Sequence, residues 1–125
     1  MRFIGITVEP SKWNIQADYS MAQLRAGNIY TARKENEKLL KKSTKLSERK
    51  GRGLNYRIEG NVRTYKSLNR EFLIHRALIE AHAKKHQEAK ELLSKALEMH
   101  EVDEIKKSQS FIVREIESLI KSSEK

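Results

Sequence analysis

Apolar residues recur at helical spacing in at least four segments of this 125-residue chain, and only two short segments favour strands. Residues 68–83 carry Phe72, Leu73, Ile74, Leu78 and Ile79, and residues 87–99 carry Ala89, Leu92, Leu93, Ala96 and Leu97. Both read as helices, parted by a turn near residues 84–86. Upstream, Ile15, Tyr19, Ala22 and Ala26 make an apolar stripe widened by Met21 and Leu24, and Gly27 ends that helix. Asn28 then caps a second helix with Ala32, Leu39, Leu40 and Leu46 on one face. Residues 102–120 close the chain with Ile105, Ile112, Ile116 and Leu119 in helical register. Trp13, the lone tryptophan, is expected to cover one end of the core, the alternative being an anchor for a partner.

Residues 2–8 are β-branched at Ile4, Ile6, Thr7 and Val8 and are followed by the only proline, Pro10, which is a strand signal. A strand needs a partner for its backbone groups. Within the chain the candidate is 54–66, where Leu54, Tyr56 and Ile58 alternate before Glu59, Gly60 and Asn61. That segment reads either as a short β-hairpin or as an Asn61-capped helix running through Val62, Tyr65, Phe72 and Ile79. The expected fold is therefore mostly α: antiparallel helical hairpins in one small domain, with a short N-terminal β-strand and a candidate β-hairpin near 54–66. The N-terminal strand also offers an edge to a second copy, so a homo-oligomer is among the expectations.

The segment Gly27-Asn28-Ile29-Tyr30-Thr31-Ala32, and His86-Gln87-Glu88-Ala89 followed by Lys95-Ala96-Leu97, resemble the second-helix signature of the tetratricopeptide repeat. The resemblance implies paired helices that approach closely at small residues, in a scaffold that binds proteins. It covers about half the chain. Ala32 and Ala89 stand 57 residues apart where the family repeats every 34 or so, and Gln23 and Glu80 replace its first-helix aromatic. No binding residue carries over.

The net charge of +9 comes from residues 33–70, where thirteen basic side chains face four acidic ones and the rest of the chain balances. A local excess of this kind attracts polyanions and steers their approach. Lys34, Lys38, Lys41, Lys42 and Lys45 lie on the second helix, and Arg49, Lys50 and Arg52 on a glycine-containing loop expected over 47–53. Arg57 and Arg63 follow, with Tyr30, Tyr56 and Tyr65 as aromatics able to stack on unpaired bases. No helix-turn-helix, zinc-finger or ribonucleoprotein motif accompanies them, so base-specific readout is not expected.

Other chemistry is thinly represented. The chain has no cysteine, which excludes disulfides, thiolate zinc sites and a cysteine nucleophile, and a reducing cytoplasm is the expected location. His75, His82 and His86 are spaced by seven and four, and the last pair has metal-ligand spacing, but the turn near Lys84 breaks their alignment and Lys84 and Lys85 repel a cation. Glu101, Asp103 and Glu104 read as charges opening the last helix, paired with Lys106 and Lys107. No phosphate loop, nucleophile–base pair or cofactor motif is present, so neither an enzyme nor a cofactor is expected. No apolar run reaches the roughly 20 residues a bilayer requires, and no signal-peptide pattern opens the chain.

Two functions follow from this pattern. One is an accessory or regulatory protein that binds a nucleic-acid backbone, DNA or RNA, without reading its sequence. The residues that would carry it are the five lysines, Arg49, Lys50, Arg52, Tyr56, Arg57 and Arg63. The other is a helical interaction module, adaptor or inhibitor, that holds an acidic or amphipathic segment of a protein partner.

Overall fold

A computed structural model describes residues 10–47, 55–58, 61–98 and 110–123. The strand expected over 2–8, nearly all of the 47–53 loop, and the acidic and basic residues 101–107 lie outside the described residues. Among the described residues five helices dominate: α1 (Pro10–Arg25), α2 (Ile29–Ser47), α3 (Tyr65–His82), α4 (His86–Leu97) and α5 (Ser110–Ser123). Between α2 and α3 the backbones of β1 (Asn55–Ile58) and β2 (Asn61–Thr64) pair antiparallel, Asn55 opposite Thr64 and Ile58 opposite Asn61.

Helix α3 is the centre of the assembly. Every residue of 68–81 is buried except Glu71 and Arg76, which are half-buried. A helix apolar on most sides must be surrounded, and α3 packs against α1, α2, α4 and α5. Its partners on α2 descend as its own numbering ascends. Asn69 Nδ2 donates to Ser43 Oγ at 2.8 Å, Arg76 Nη1 to Asn36 Oδ1 at 3.4 Å, and Arg33 Nη2 to Glu80 Oε1 at 2.7 Å. The two helices are therefore antiparallel. The same test applies to α1 and α2, through Gln16 Nε2 to Glu35 Oε1 at 3.0 Å and Ser20 Oγ to the Ala32 carbonyl at 2.8 Å.

Helix α1 begins at Pro10, five residues before the expected start, because proline at a first helical position loses only an N–H that has no intrahelical acceptor. Its buried face also differs from the expected one. Trp13, Ala17, Ser20 and Leu24 are inside, whereas Ile15, Tyr19, Ala22 and Ala26 face solvent. Both sets are spaced four, three and four. Packing decides between them: Ala17 and Ser20 are small enough for α2 to come close, and the Ser20 hydroxyl reaches the Ala32 carbonyl. Trp13 covers the end of the core, its ring centroid 6.5 Å from that of Phe72.

Ala89, Leu93 and Ala96 are the buried stripe of α4. Leu97, expected inside, ends the helix at the margin of that stripe and is exposed. On α5 the buried residues are Ile112, Ile116 and Ile120, with Leu119 half-buried beside them.

The connections after α1 and after α3 are the same turn. Gly27 N–H donates to the Leu24 carbonyl and Asn28 N–H to the Gln23 carbonyl, while Lys84 N–H donates to Ala81 and Lys85 N–H to Glu80. Both close their helices with the paired 5→2 and 6→1 bonds of a Schellman motif, which needs a left-handed residue. Gly27 adopts φ +89° and Lys84 φ +64°. At 27 a Cβ would meet no atom within 4 Å, so the barrier to substitution is the backbone itself. Gly27→Ala should lower the unfolding free energy by about 1–2 kcal/mol, and Lys84→Gly should raise it by about 0.5–1 kcal/mol. Urea titrations of the two variants, expected to share one m-value, check this opposite pair of shifts.

A candidate nucleic-acid interface

On α2 the buried face and the charged face are written in the same rhythm. Ala32, Asn36, Leu39 and Ser43 are buried, and Lys34, Lys38, Lys41 and Lys45, each two residues further on, are exposed. Two residues turn a helix by about 200°, so packing one set inward points the other straight out. The four lysines form a ridge about 16 Å long at 1.5 Å per residue. Lys42, also exposed, lies on its flank. Tyr30 precedes Lys34 by four residues, shares its face and is 74% exposed, so an aromatic extends the ridge by one turn. Tyr30, expected as one of the aromatics able to stack on bases, thus stands on the same face as the lysines.

The ridge is strongly but not uniformly positive. Lys38 Nζ lies 3.5 Å from Glu35 Oε2, an exposed i,i+3 pair of small energetic weight. Two other cations of the basic segment are withdrawn from the surface field: Arg70 is buried on α3, and Arg33 is turned inward to Glu80. Tyr56 and Arg57 lie on β1 and Arg63 on β2, with Tyr56 opposite Arg63 in the pairing. Arg49, Lys50 and Arg52 lie outside the described residues. The structure thus brings together the α2 members of the expected site.

Beside the ridge runs a groove between α2 and α4, floored by α3. It has two adjoining parts of about 430 and 460 Å³ that share Leu40 and Arg76. Lys41, Lys45 and Glu37 stand on the α2 wall, Glu88, Glu91 and Lys95 on the α4 wall. Glu80 on the floor is 2% exposed and holds two arginines. Arg33 Nε and Arg76 Nε both donate to its Oε2, at 2.8 and 2.7 Å. Burial alone would raise the Glu80 pKa, but the hydrogen bonds from Arg33 and Arg76 outweigh it and hold the carboxyl below its ordinary range. The same bonds to Glu80 raise the pKa of Arg33.

The histidines are placed apart. His82 ends α3 and His86 begins α4 after the turn, and His75 is buried with its ring 6.3 Å from that of Phe72. His82 Nε2 lies 3.0 Å from Glu115 Oε2, and Arg25 donates through Nη1 and Nη2 to the two oxygens of Glu115 at 2.7 and 2.8 Å. Among the described residues no group of three His, Asp or Glu is arranged to hold a metal ion, and no helix is long and apolar enough to cross a membrane. Comparison with protein-family models, with curated proteins and with solved structures returns no match to this chain.

The Glu115 clasp sets an acid dependence. The hydrogen bond from Arg25 is the largest influence; burial opposes it, a lesser bond from His82 adds to it, and the balance lowers the pKa from an ordinary 4.5 to about 2. A carboxyl depressed in the folded state stabilises it fully above the unfolded pKa and loses that contribution as pH falls towards the folded one. Melting curves of the parent and Glu115→Gln should therefore be well separated at pH 7 and converge between pH 4.5 and about 2. Curves that stay parallel through that window would show the clasp to be energetically silent.

Proposed function

We propose that this protein binds the backbone of DNA or RNA, without sequence preference, through the solvent face of α2. The observation that carries the reading is the ridge of Tyr30, Lys34, Lys38, Lys41 and Lys45 on one helix face whose opposite side is locked in the core. Lysines spaced along a helix neutralise successive phosphates and release their counterions, and an exposed tyrosine at the ridge's end can stack on an unpaired base. Lys42, Arg49, Lys50, Arg52, Tyr56, Arg57 and Arg63 extend this surface in the proposal. It is a binding rather than a catalytic role, in a reducing cytoplasm, where a chain without cysteine suits the conditions.

A second reading is favoured by the groove, where Leu40 and Leu92 offer apolar contact to a segment of a protein partner. The resemblance of residues 27–32 and 86–97 to tetratricopeptide second helices, which belong to protein-binding scaffolds, points the same way. Charge decides between the two readings. The groove's own Lys95 and Arg76, and the Lys41 and Lys45 it shares with the ridge, face Glu37, Glu80, Glu88 and Glu91, so the groove is balanced, whereas along the ridge four lysines stand against only Glu35 and Glu37.

Replacing Lys34, Lys38, Lys41 and Lys45 together by glutamine should weaken binding to unrelated nucleic-acid sequences by similar factors. Each lost phosphate contact should remove roughly 0.7–0.9 from the slope of log affinity against log salt, about 3 in all. Stability should hold, since these side chains are exposed and glutamine is a good helix former. Fluorescence anisotropy across a salt series measures the slope. No binding by the parent at low salt, or an unchanged slope in the variant, would reject the proposal.

A further inference from the structure

The face of α1 that packing leaves outside is apolar along its length. Ile15 is 68% and Tyr19 49% exposed, and Ala22 and Ala26 are exposed beyond them. The order is two large residues followed by two small ones, at intervals of four, three and four. Those intervals read the same in both directions. When two such helices lie antiparallel about a two-fold axis between positions 20 and 21, Ile15 of one copy meets Ala26 of the other, and Tyr19 meets Ala22. Every large side chain then faces a small one, as close helix packing requires.

The charges flanking the stripe agree with that arrangement. Asp18 and Arg25 are seven residues apart and so lie on the same flank of α1, both exposed. A two-fold axis brings like flanks together, and places Asp18 of each copy within about two residues, or about 3 Å along the axis, of Arg25 of the other. Glu115 engages Nη1 and Nη2 of Arg25 and leaves that side chain 49% exposed. Lys12 lies on the opposite flank with Gln16 and Gln23, away from Asp18 and Arg25.

We propose that α1 is the contact between two copies of this chain, joined antiparallel through Ile15, Tyr19, Ala22 and Ala26. One helix pair buries less than the roughly 1,200–2,000 Å² of stable complexes, so the dimer is weak and concentration-dependent. It stands independently of the nucleic-acid reading, because it uses a different helix.

Sedimentation equilibrium of the full chain should show a monomer–dimer equilibrium. Ala22→Glu, which sets a carboxylate against Tyr19 of the other copy on an exposed helix position, should abolish it, with circular dichroism confirming the fold. Asp18→Arg should weaken it roughly five-fold, the scale of exposed charge pairs. Geometry is tested by cross-linking, which the cysteine-free sequence makes clean. Ile15→Cys mixed with Ala26→Cys should give a disulfide dimer containing one of each, and neither variant should cross-link alone, since like positions stand about 16 Å apart along the axis. Cross-linking within each variant alone would mean a parallel pair and overturn the proposal. So would a monomer throughout the concentration range, or a dimer that survives Ala22→Glu and is lost on deleting residues 2–8.

Discussion

The burial of α3 is the constraint on which the rest depends. A helix carrying Leu68, Phe72, Leu73, Ile74, Leu78 and Ile79 on several sides cannot be satisfied by one neighbour, and four helices are recruited around it. Its polar residues then become structural requirements. Asn69 donates to Ser43 and Thr44 on α2. Glu80 is held by Arg33 from α2 and by Arg76 one turn earlier on α3 itself. Such a buried ionic group adds little net stability over an apolar substitute, but removing one partner strands a charge. Its effect is to fix the position of α2 along α3.

That fixed position determines what α2 shows to solvent. With Ala32, Asn36, Leu39 and Ser43 pinned to the core, Lys34, Lys38, Lys41 and Lys45 have no choice of direction. The core also removes Arg33 and Arg70 from the outer field, so the basic surface is set by burial as much as by composition. A charge count over a sequence window overstates the field wherever one of its arginines serves the interior.

The sequence displayed the helices, the turn at residues 84–86 and the interior place of Trp13, because long apolar periodicity and single large residues are local signals. It misdirected the face of α1. Ile15, Tyr19, Ala22 and Ala26 outweigh Trp13, Ala17, Ser20 and Leu24 on hydrophobicity of the individual positions, but α2 selects the set that lets backbones approach, through Ala17 and the Ser20 hydroxyl. The Arg33–Glu80 pair spans 47 residues and nothing local announces it. Of the basic site, the lysines were legible as a charged set on the second helix, expected over several of its faces; that four of them share one face follows from which side is buried. Tyr30 was legible as a base-stacking aromatic, but its place on the lysine face came only with the direction of that face.

The clasp at Glu115 has a consequence for how the chain folds. Outer helices of a small fold can fray independently of one another when no contact joins them. Here Glu115 on the last helix reaches back 90 positions to Arg25 at the end of the first, and meets His82 of the central helix on the way. Closing so long a loop is an entropic cost that grows only slowly with length. Once closed, it couples the fraying of α1 to that of α5, two outer helices that each pack against the central α3.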